Sequence, residues 1–344
     1  MIDPWYLANL RCPVDKGALT LDGDHLVSAA GRRYPVVDGM PVMLVKDVEQ
    51  TLEVVAEASL QLAQEGDGSG APWYLESVGL EPEQRREILR LAAANPNGLD
   101  PVALMIQGAT SGYGYTHLIG DSSLTEYPIP EIALPAGEGR TLLDIGCNWG
   151  RWCFTAARKG YKPVGIDPSL GAVMAARRIA RQLGLDIHFV VGDGRYLPFA
   201  EGGFDTVYSY SVIQHFSEED AGLALAESGR VLRSGGFAKI QMAAKWGIRS
   251  FQHQVARGFR IREPFDVRYY GVPTLKRMFE RHIGRTRVAT DCYFGLGWQW
   301  SDYRFMRPSR RPILIASEVL RRASNVLPPM RLVADSIFCT ATKA

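Results

Sequence analysis

TLLDIGCNWGRWCFTAARKGYKPVGID, residues 141–167, decides the fold of this chain. Its apolar start predicts a strand, Gly146 and Gly150 bracket a tight turn, the residues that follow predict a helix, and a second strand ends in Asp167. This order makes a βαβ unit, in which bare backbone N–H groups and a helix N-terminus face a ligand. We therefore expect a nucleotide-type ligand whose ribose hydroxyls donate to Asp167, about twenty residues after the turn.

Composition predicts a soluble protein with a sizeable core. The 344 residues are enough for two or three units, and 39 basic against 37 acidic side chains leave no field that favours nucleic acid. The five cysteines include no CxxC pair, which is typical of a reducing compartment and disfavours a structural zinc site. The acids and proline of MIDPWYLANLRCP are untypical of a signal peptide, so we expect a cytoplasmic protein.

Residues 1–48 are expected to form a small β-rich unit of short strands, with Asp38-Gly39 as a hairpin turn. The order LRCPVDKGALT and then RRYPVVDGMPVML resembles the zinc-ribbon-like family typified by the Trm112 and YcaR proteins. Metal-binding members of that family use four cysteines, whereas this unit keeps only Cys12 and has Asp15 at the second position. The resemblance thus implies a degenerate ribbon without a metal.

Residues 49–138 are expected to form a helical linker and lid. Apolar spacing predicts helices over 49–64 and 82–94, joined by the glycine-rich linker EGDGSGAPWY. The later stretch GATSGYGYTHLIGDSSLTEYPIPE has no clear period and is predicted to be a loop. Tyr113 and Tyr115 in this loop are candidates for closing over the ligand, and packing in an aromatic core explains them nearly as well.

From residue 139 to the end, the pattern alternates strands and helices. Such alternation predicts an α/β fold with a doubly wound, Rossmann-like parallel sheet. The predicted strands are LLDIG, KPVGID, DIHFVVGD, FDTVYSYS, FAKIQMAA, RTRVATDCYF and DSIFCTATK. Two insertions, at about 246–272 and 295–334, interrupt this pattern.

Four features follow the glycine turn in order. Asp167 ends the second strand in GIDPS, Asp193 ends the third in VVGDGRYLPF, FDTVYSYSVIQHF forms the fourth, and RVLRSGGFAKI makes a helix, a turn and the fifth. This order resembles the class I S-adenosylmethionine-dependent methyltransferases, especially the small-molecule branch related to the ubiquinone-pathway enzymes. The resemblance implies a mostly parallel sheet with an antiparallel last strand, insertions that cover the methyl acceptor, S-adenosylmethionine as cofactor and S-adenosylhomocysteine as product.

The resemblance also implies the cofactor contacts. It places Asp144 near the methionine ammonium, Asp167 on the ribose hydroxyls and Asp193 on the adenine amino group, although turn capping also explains Asp144 and Asp193. The residues after Asp193 are expected beside the adenine ring, and the end of the fourth strand near the sulfonium. The implied cofactor-binding residues are Asp144, Gly146, Cys147, Asn148, Gly150, Asp167, Pro168, Asp193, Gly194, Arg195, Ser209 and Tyr210.

A nicotinamide-dependent enzyme is the main competitor for the same βαβ unit. Against it, the third glycine is shifted, and the sequence presents no catalytic Tyr/Lys or His/acid set for hydride transfer. Asn148 stands where the methyltransferase pattern has its middle glycine. Cys147 and Cys153 suggest a redox role, for which helix packing is the simpler interpretation.

The acceptor side is less determined by the sequence. Methyl transfer requires positioning, and a general base only when the nucleophile is a hydroxyl that must lose its proton. His215 in IQHF and His253 are the candidate catalytic residues, and a loop-ordering role explains His215 equally well. Arg262, Tyr269 and Tyr270 are candidate acceptor contacts, with a solvated charged face as the alternative.

The expected acceptor is a hydroxyl of a small molecule or glycan precursor, because the lids are large and no basic, aromatic nucleic-acid face is evident. Methylation of RNA or protein is the alternative, and a non-catalytic scaffold is the alternative from another class. RPSRRPILIASEVLRRASNVLPPMRL places an apolar helix between arginine clusters. A lid helix or a contact in a homodimer is the preferred interpretation, and an anionic membrane or a lipid-linked or phosphorylated acceptor is the alternative.

Overall fold

The computed structural model describes residues 2–46, 48, 53–66, 68, 70, 71, 73–75, 82–94, 97–109, 114–263, 265–295 and 297–344. Two β-sheets lie within these ranges, a small one near the N-terminus and a seven-stranded one in the second half. The α-helices are α1 (Pro4–Asn9), α2 (Glu53–Glu65), α3 (Pro82–Ala94), α4 (Pro101–Ala109), α5 (Arg151–Arg158), α6 (Leu170–Gln182), α7 (Glu218–Val231), α8 (Ile248–Ala256), α9 (Val272–His282) and α10 (Arg311–Val326).

The N-terminal sheet contains β1 (Leu19–Asp22), β2 (His25–Ser28), β3 (Arg33–Val37) and β4 (Met40–Pro41) in sequential order. Its pairings are antiparallel. Asp38 and Gly39 form the last turn with φ of 50° and 79°, as a hairpin turn of two left-handed residues requires. The predicted strands are confirmed, whereas kinship with the zinc-ribbon family stays a prediction.

Cys12 is buried among apolar side chains in the interior of this unit. Cys12 Sγ lies 3.2 Å from the Tyr34 hydroxyl, and both side chains belong to the main apolar core. Within the described ranges, no group of three or more His, Cys, Asp or Glu side chains is placed to hold a metal ion.

The seven-stranded sheet contains β5 (Thr141–Ile145), β6 (Lys162–Asp167), β7 (His188–Val191), β8 (Phe204–Ser209), β9 (Leu232–Ala243), β10 (Gly284–Cys292) and β11 (Ser336–Lys343). Its spatial order is β10-β11-β9-β8-β5-β6-β7. The pairings from β7 to β9 are parallel, and β11 is antiparallel to both of its neighbours. One apolar cluster packs α7 and α9 against this sheet, and another packs α4 and α6. The predicted doubly wound α/β fold with an antiparallel last strand is confirmed.

The N-terminal unit is joined to the β7 edge of the large sheet. Val42 forms a parallel bridge with Val191, and the Met43 amide donates to the Val191 carbonyl at 2.7 Å. The Tyr6 hydroxyl donates to the Phe189 carbonyl at 2.8 Å. Side chains of both units belong to one apolar cluster. The N-terminal unit, described from residue 2 to residue 46, therefore shares one core with the large sheet.

The described residues between the two sheets include three α-helices. α2 and α3 occupy the described parts of the two predicted helices. The pattern does not predict α4, because PVALMIQGA is apolar almost throughout and shows no helical period. Asp100 starts this helix, since its Oδ1 accepts from the Val102 and Ala103 amides at 3.0 and 3.1 Å. Tyr113, a predicted lid residue, lies outside the described residues.

Each insertion contributes one α-helix. The sequence predicts α10 from its apolar spacing, but it does not indicate α8. Among the described residues, no helix combines the length and the apolar character that crossing a bilayer requires.

Leu10→Ala is expected to lower the free energy of unfolding of the whole chain by about 2–5 kcal/mol. Leu10 is 0% exposed and bridges Phe199, so its loss leaves a cavity where the two units meet. Urea unfolding followed by circular dichroism and tryptophan fluorescence measures the change. Leu21→Ala, at a position 45% exposed, is the control and is expected to change it by about 0.5 kcal/mol or less. A separate early transition limited to the N-terminal unit contradicts the shared core.

Candidate active site

The carboxyl ends of the parallel strands open into a cleft of about 1100 Å³. The ends of β5, β6 and β7 form one half of it, called here the glycine-turn half. The ends of β8 and β9 with α8 form the other, called the His215 half. The predicted residues that line the cleft are Gly146, Cys147, Asn148, Asp167, Pro168, Asp193, Gly194, Tyr210, His215, His253 and Tyr269. Val55, Gln84 and Thr116 from the helical region also line it.

The turn between β5 and α5 has a left-handed backbone at alternate residues. Gly146, Asn148 and Gly150 have φ of 73°, 51° and 87°. A Cβ on Gly146 would lie 2.2 Å from the Val212 side chain, so only glycine fits at this position. Asn148 tolerates the left-handed conformation, and its Oδ1 accepts from the Trp149 amide at 2.7 Å. Asparagine therefore replaces the middle glycine without loss of the turn.

Asp167 ties this turn to the end of β6. Its Oδ2 accepts from the Asn148 amide at 2.9 Å and its Oδ1 from the Ser169 amide at 3.0 Å, which fixes the carboxylate on the cleft wall. Burial raises the pKa of this carboxyl to about 6, and the two backbone hydrogen bonds oppose that rise. At neutral pH the group is ionised, and its remaining lone pairs are free to accept from hydroxyls of a ligand.

Asp193 is held by an arginine two residues later. Arg195 Nη2 lies 2.7 Å from Asp193 Oδ2, and Arg195 Nη1 lies 2.8 Å from Asp220 Oδ1. The described residues that line the cleft include Asp193 but not Arg195. The guanidinium of Arg195 is thus held by Asp193 and Asp220, and its place beside an adenine ring stays a prediction.

Asp144, Gly150 and Ser209 were expected at the cofactor, and the structure places all three outside the described cleft lining. Asp144 is fully buried, which raises the pKa of its carboxyl to about 7, and Cys153 Sγ donates to its Oδ2 at 3.4 Å. Ser209 Oγ donates to a β5 carbonyl at 2.8 Å. The side chains of Asp144 and Ser209 therefore stabilise the turn and the strands from inside the core.

The two cysteines near the turn are structural. Burial raises the pKa of the Cys147 thiol to about 11 and raises the pKa of Cys153 as well. Both thiols stay protonated at neutral pH, which favours the packing interpretation over redox chemistry.

His215 lies on the wall of the other half of the cleft. Its Nδ1 is 2.6 Å from the Phe265 carbonyl oxygen, which can only accept, so Nδ1 carries the proton. The imidazole also stacks on the Phe265 ring with centroids 4.0 Å apart. Burial lowers the pKa of His215, and hydrogen bonding to the Phe265 and Ser211 carbonyls opposes this. A neutral ring protonated on Nδ1 has its basic lone pair on Nε2, as a general base requires.

His253 and Tyr269 form a second pair in the same half. His253 Nδ1 lies 2.6 Å from the Tyr269 hydroxyl. Burial lowers the pKa of His253 and raises that of Tyr269 to about 12, so both are neutral at pH 7. Arg262 and Tyr270 are not among the described lining residues, and Arg262 is exposed. Tyr115 is buried in an apolar cluster, in line with the packing interpretation.

The sequence did not indicate a polar chain that crosses the floor of the His215 half. The Ser211 amide donates to Gln241 Oε1 at 2.7 Å, Gln241 Nε2 donates to Ser336 Oγ at 2.5 Å, and Ser336 Oγ donates to Asp291 Oδ2 at 2.8 Å. The Tyr210 hydroxyl donates to the same Asp291 oxygen at 2.8 Å. Burial raises the pKa of the Asp291 carboxyl. The sequence feature that could have indicated this chain is Gln241, a polar residue inside the apolar run FAKIQMAA.

Comparison with known proteins identifies the centre of the chain. Residues 142–236 match the family model described as a methyltransferase domain. These residues form an S-adenosylmethionine-dependent methyltransferase domain. The matched range contains the glycine turn, Asp167, Asp193 and His215.

Curated methyltransferases are similar to this domain and its surroundings. The ubiquinone biosynthesis O-methyltransferase of Azorhizobium caulinodans is 32% identical over 99 residues, 29% of this chain and 38% of that protein. The enzyme of the same name from Nitrobacter winogradskyi is 26% identical over 224 residues, 63% of this chain and 84% of that protein. Norajmaline N-methyltransferase of Rauvolfia serpentina is 35% identical over 89 residues, 25% of this chain and 30% of that protein. The chain thus spans well under half of the Azorhizobium and Rauvolfia proteins.

The residues of the methyltransferase domain fit its cofactor. Asp167 presents an ionised acceptor on the cleft wall, as a ribose diol requires. Asp193 lies just beyond the end of β7, the strand next to β6, and Arg195 fixes its carboxylate. An acceptor for the amino group of the cofactor is needed at this place. Val212 occupies the space that a Cβ on Gly146 would need, so this position requires glycine. The backbone of the turn is therefore not covered by a side chain at residue 146.

Asp167→Ala is expected to weaken S-adenosylhomocysteine binding about tenfold to a hundredfold, because hydrogen bonds to a charged group contribute about 1.5–3 kcal/mol. Calorimetric titration with S-adenosylmethionine and S-adenosylhomocysteine measures the change. Asp186→Ala, at an exposed residue beyond α6, is the control and is expected to bind as the wild type does. Equal affinity of Asp167→Ala and wild type, in samples with the same melting temperature, contradicts the assignment of the ribose site.

Proposed function

We propose that this protein is an S-adenosylmethionine-dependent methyltransferase that methylates a hydroxyl group of a small molecule or glycan precursor. The observation that carries the proposal is that Asp167 and His215 line one cleft. The cofactor supplies a methyl group on a sulfonium. The glycine-turn half holds the cofactor, which leaves the His215 half for the acceptor.

His215 acts as the general base in this proposal. The acceptor oxygen gains the methyl group, and its proton passes to Nε2 of His215. The Phe265 carbonyl keeps Nδ1 protonated and then stabilises the imidazolium that forms. Because burial lowers the pKa of His215, the ring is in its basic form at neutral pH.

The polar floor supports a polar acceptor. Tyr210, Gln241 and Ser336 line the cleft and are fixed by their hydrogen bonds to Asp291 and the Ser211 amide. A cleft wall that contains such fixed polar groups favours an acceptor that carries hydroxyl or carbonyl groups over an apolar one.

His215→Gln is expected to lower kcat about 10²–10⁴-fold and to leave S-adenosylhomocysteine affinity within about twofold, because general-base catalysis contributes on that order. His282→Gln is the matched control, since His282 is also part-buried with a lowered pKa but lies at the end of α9 outside the described cleft lining. Transfer of labelled methyl groups to the acceptor fraction gives the rate. A drop below about tenfold refutes the base role of His215.

The pH dependence follows from the direction of the same shift. A lowered pKa means that His215 loses its basic form only below its ordinary value of 6.5. We expect kcat/KM to be level from neutral pH upward and to fall with acid below that value, with a lower midpoint than free histidine. A midpoint above 6.5, or a flat profile, contradicts a general base whose pKa is lowered.

Fractionation of the labelled products identifies the acceptor class. Cell extract is treated with the protein and labelled S-adenosylmethionine and then separated into small molecules, RNA and protein. Label in the small-molecule fraction supports the proposal, and label retained on RNA or protein overturns the acceptor assignment. Cofactor binding without transfer to any fraction favours the non-catalytic scaffold.

A further inference from the structure

α8 exposes an apolar stripe to solvent, and the residues that it buries are polar. Ile248, Phe251 and Val255 are 56%, 42% and 52% exposed. Ser250 and Gln254 on the opposite side are 4% and 6% exposed. A helix at a protein–water boundary has the reverse arrangement, with its apolar stripe toward the core.

The inward polar contacts fix this orientation. The Ser250 amide donates to Asp335 Oδ1 at 2.7 Å, and Gln254 Nε2 donates to a backbone carbonyl at 2.8 Å. Arg257, which is 8% exposed, forms an ion pair with Asp266 at 2.9 Å. Rotating α8 to hide its apolar stripe would break these contacts and leave buried polar groups unpaired.

Aromatic side chains extend the apolar stripe beyond both ends of the helix. The Trp246 and Phe251 rings lie 6.2 Å apart, and the Phe251 and Phe259 rings lie 6.0 Å apart. In the part of the chain that the structure describes, all but four of the exposed large apolar side chains lie between residues 246 and 333. The docking face is defined here as Trp246, Ile248, Phe251, Val255, Phe259 and Ile261.

Positive charge is concentrated in the same region. Residues 245–263 and 304–331 contain twelve arginines and lysines and two glutamates, whereas the whole chain has a net charge of +2. Four of these arginines form ion pairs with Asp266, Glu126 or Glu318. Lys245 Nζ lies 5.0 Å from the centre of the Trp246 ring. α10 in the second segment also has exposed apolar residues, among them Ile313 and Val319 at 44% and 60%.

We propose that the docking face and the arginine-rich α10 bind the surface of an anionic phospholipid bilayer. Aromatic and aliphatic side chains surrounded by cations are typical of elements that lie in the headgroup region. An anionic bilayer offers an apolar interior to the exposed apolar side chains and negatively charged headgroups to the arginines and lysines. A second copy of the chain is disfavoured, because a two-fold contact would bring the same cations face to face.

Docking through this face determines where the cleft lies relative to the bilayer. Arg249, Gln252, His253 and Ala256 of α8 line the cleft, and the docking face occupies the adjacent face of the same helix. The cleft therefore opens beside the bilayer surface, where an acceptor with a lipid anchor is within reach. This consequence for the acceptor rests on the proposed function, whereas docking itself does not.

Vesicle flotation tests the proposal with the full chain. The wild type is expected to float with phosphatidylcholine vesicles that contain phosphatidylglycerol, and to float much less with phosphatidylcholine alone or at high salt. The double variant Phe251→Ser, Phe259→Ser is expected to bind the anionic vesicles at least about tenfold more weakly. Leu223→Ser is the matched control, because Leu223 is 42% exposed like Phe251 but lies on α7, and its binding is expected to be unchanged.

Three results would overturn the proposal. They are a wild type that stays in solution with anionic vesicles, a double variant that floats as well as the wild type, and a wild-type dimer that the double variant converts to a monomer. A circular dichroism spectrum and a melting temperature equal to those of the wild type show that the double variant is folded. Flotation requires no methyl transfer, so loss of docking is distinguished from failure of the proposed function.

Discussion

The left-handed turn at Gly146, Asn148 and Gly150 is the constraint on which the rest of the structure depends. The amides of Gly146 and Cys147 donate to the Ile166 carbonyl at 2.8 and 3.0 Å, and Asp167 accepts from Asn148. The turn therefore fixes the ends of β5 and β6 relative to each other. It also lets α5 and α6 approach, since a Cβ on Gly150 would lie 3.0 Å from Ala176 Cβ.

Because β11 is antiparallel to its neighbours, it adds a side chain to the His215 half of the cleft. Parallel strands bring only their carboxyl ends to this edge, whereas β11 brings its first residue, Ser336. Ser336 meets Gln241 from β9, and Asp291 near the end of β10 completes the set. One reversed strand thus adds a side chain from the far end of the sequence, which a purely parallel sheet cannot do.

The sequence predicts features that depend on neighbours along the chain. The βαβ unit, the acids that end β6 and β7, and most helices follow from local periodicity and glycine placement. The sequence does not show features that depend on distant partners. Arg195 forms an ion pair with Asp220, His215 gains its tautomer from the Phe265 carbonyl, and the orientation of α8 depends on Asp335. Each partner lies at least 25 residues away, beyond the reach of any pattern.

The attachment of the N-terminal sheet has a consequence for self-association. β7 is an edge strand of the large sheet, and an open edge of buried apolar residues is a template for pairing with strands of other molecules. Val42 and Met43 occupy the end of that edge, and the Tyr6 hydroxyl takes a further carbonyl along it. The N-terminal unit thus blocks part of this edge from pairing with strands of other molecules. This protection requires no metal and no ligand.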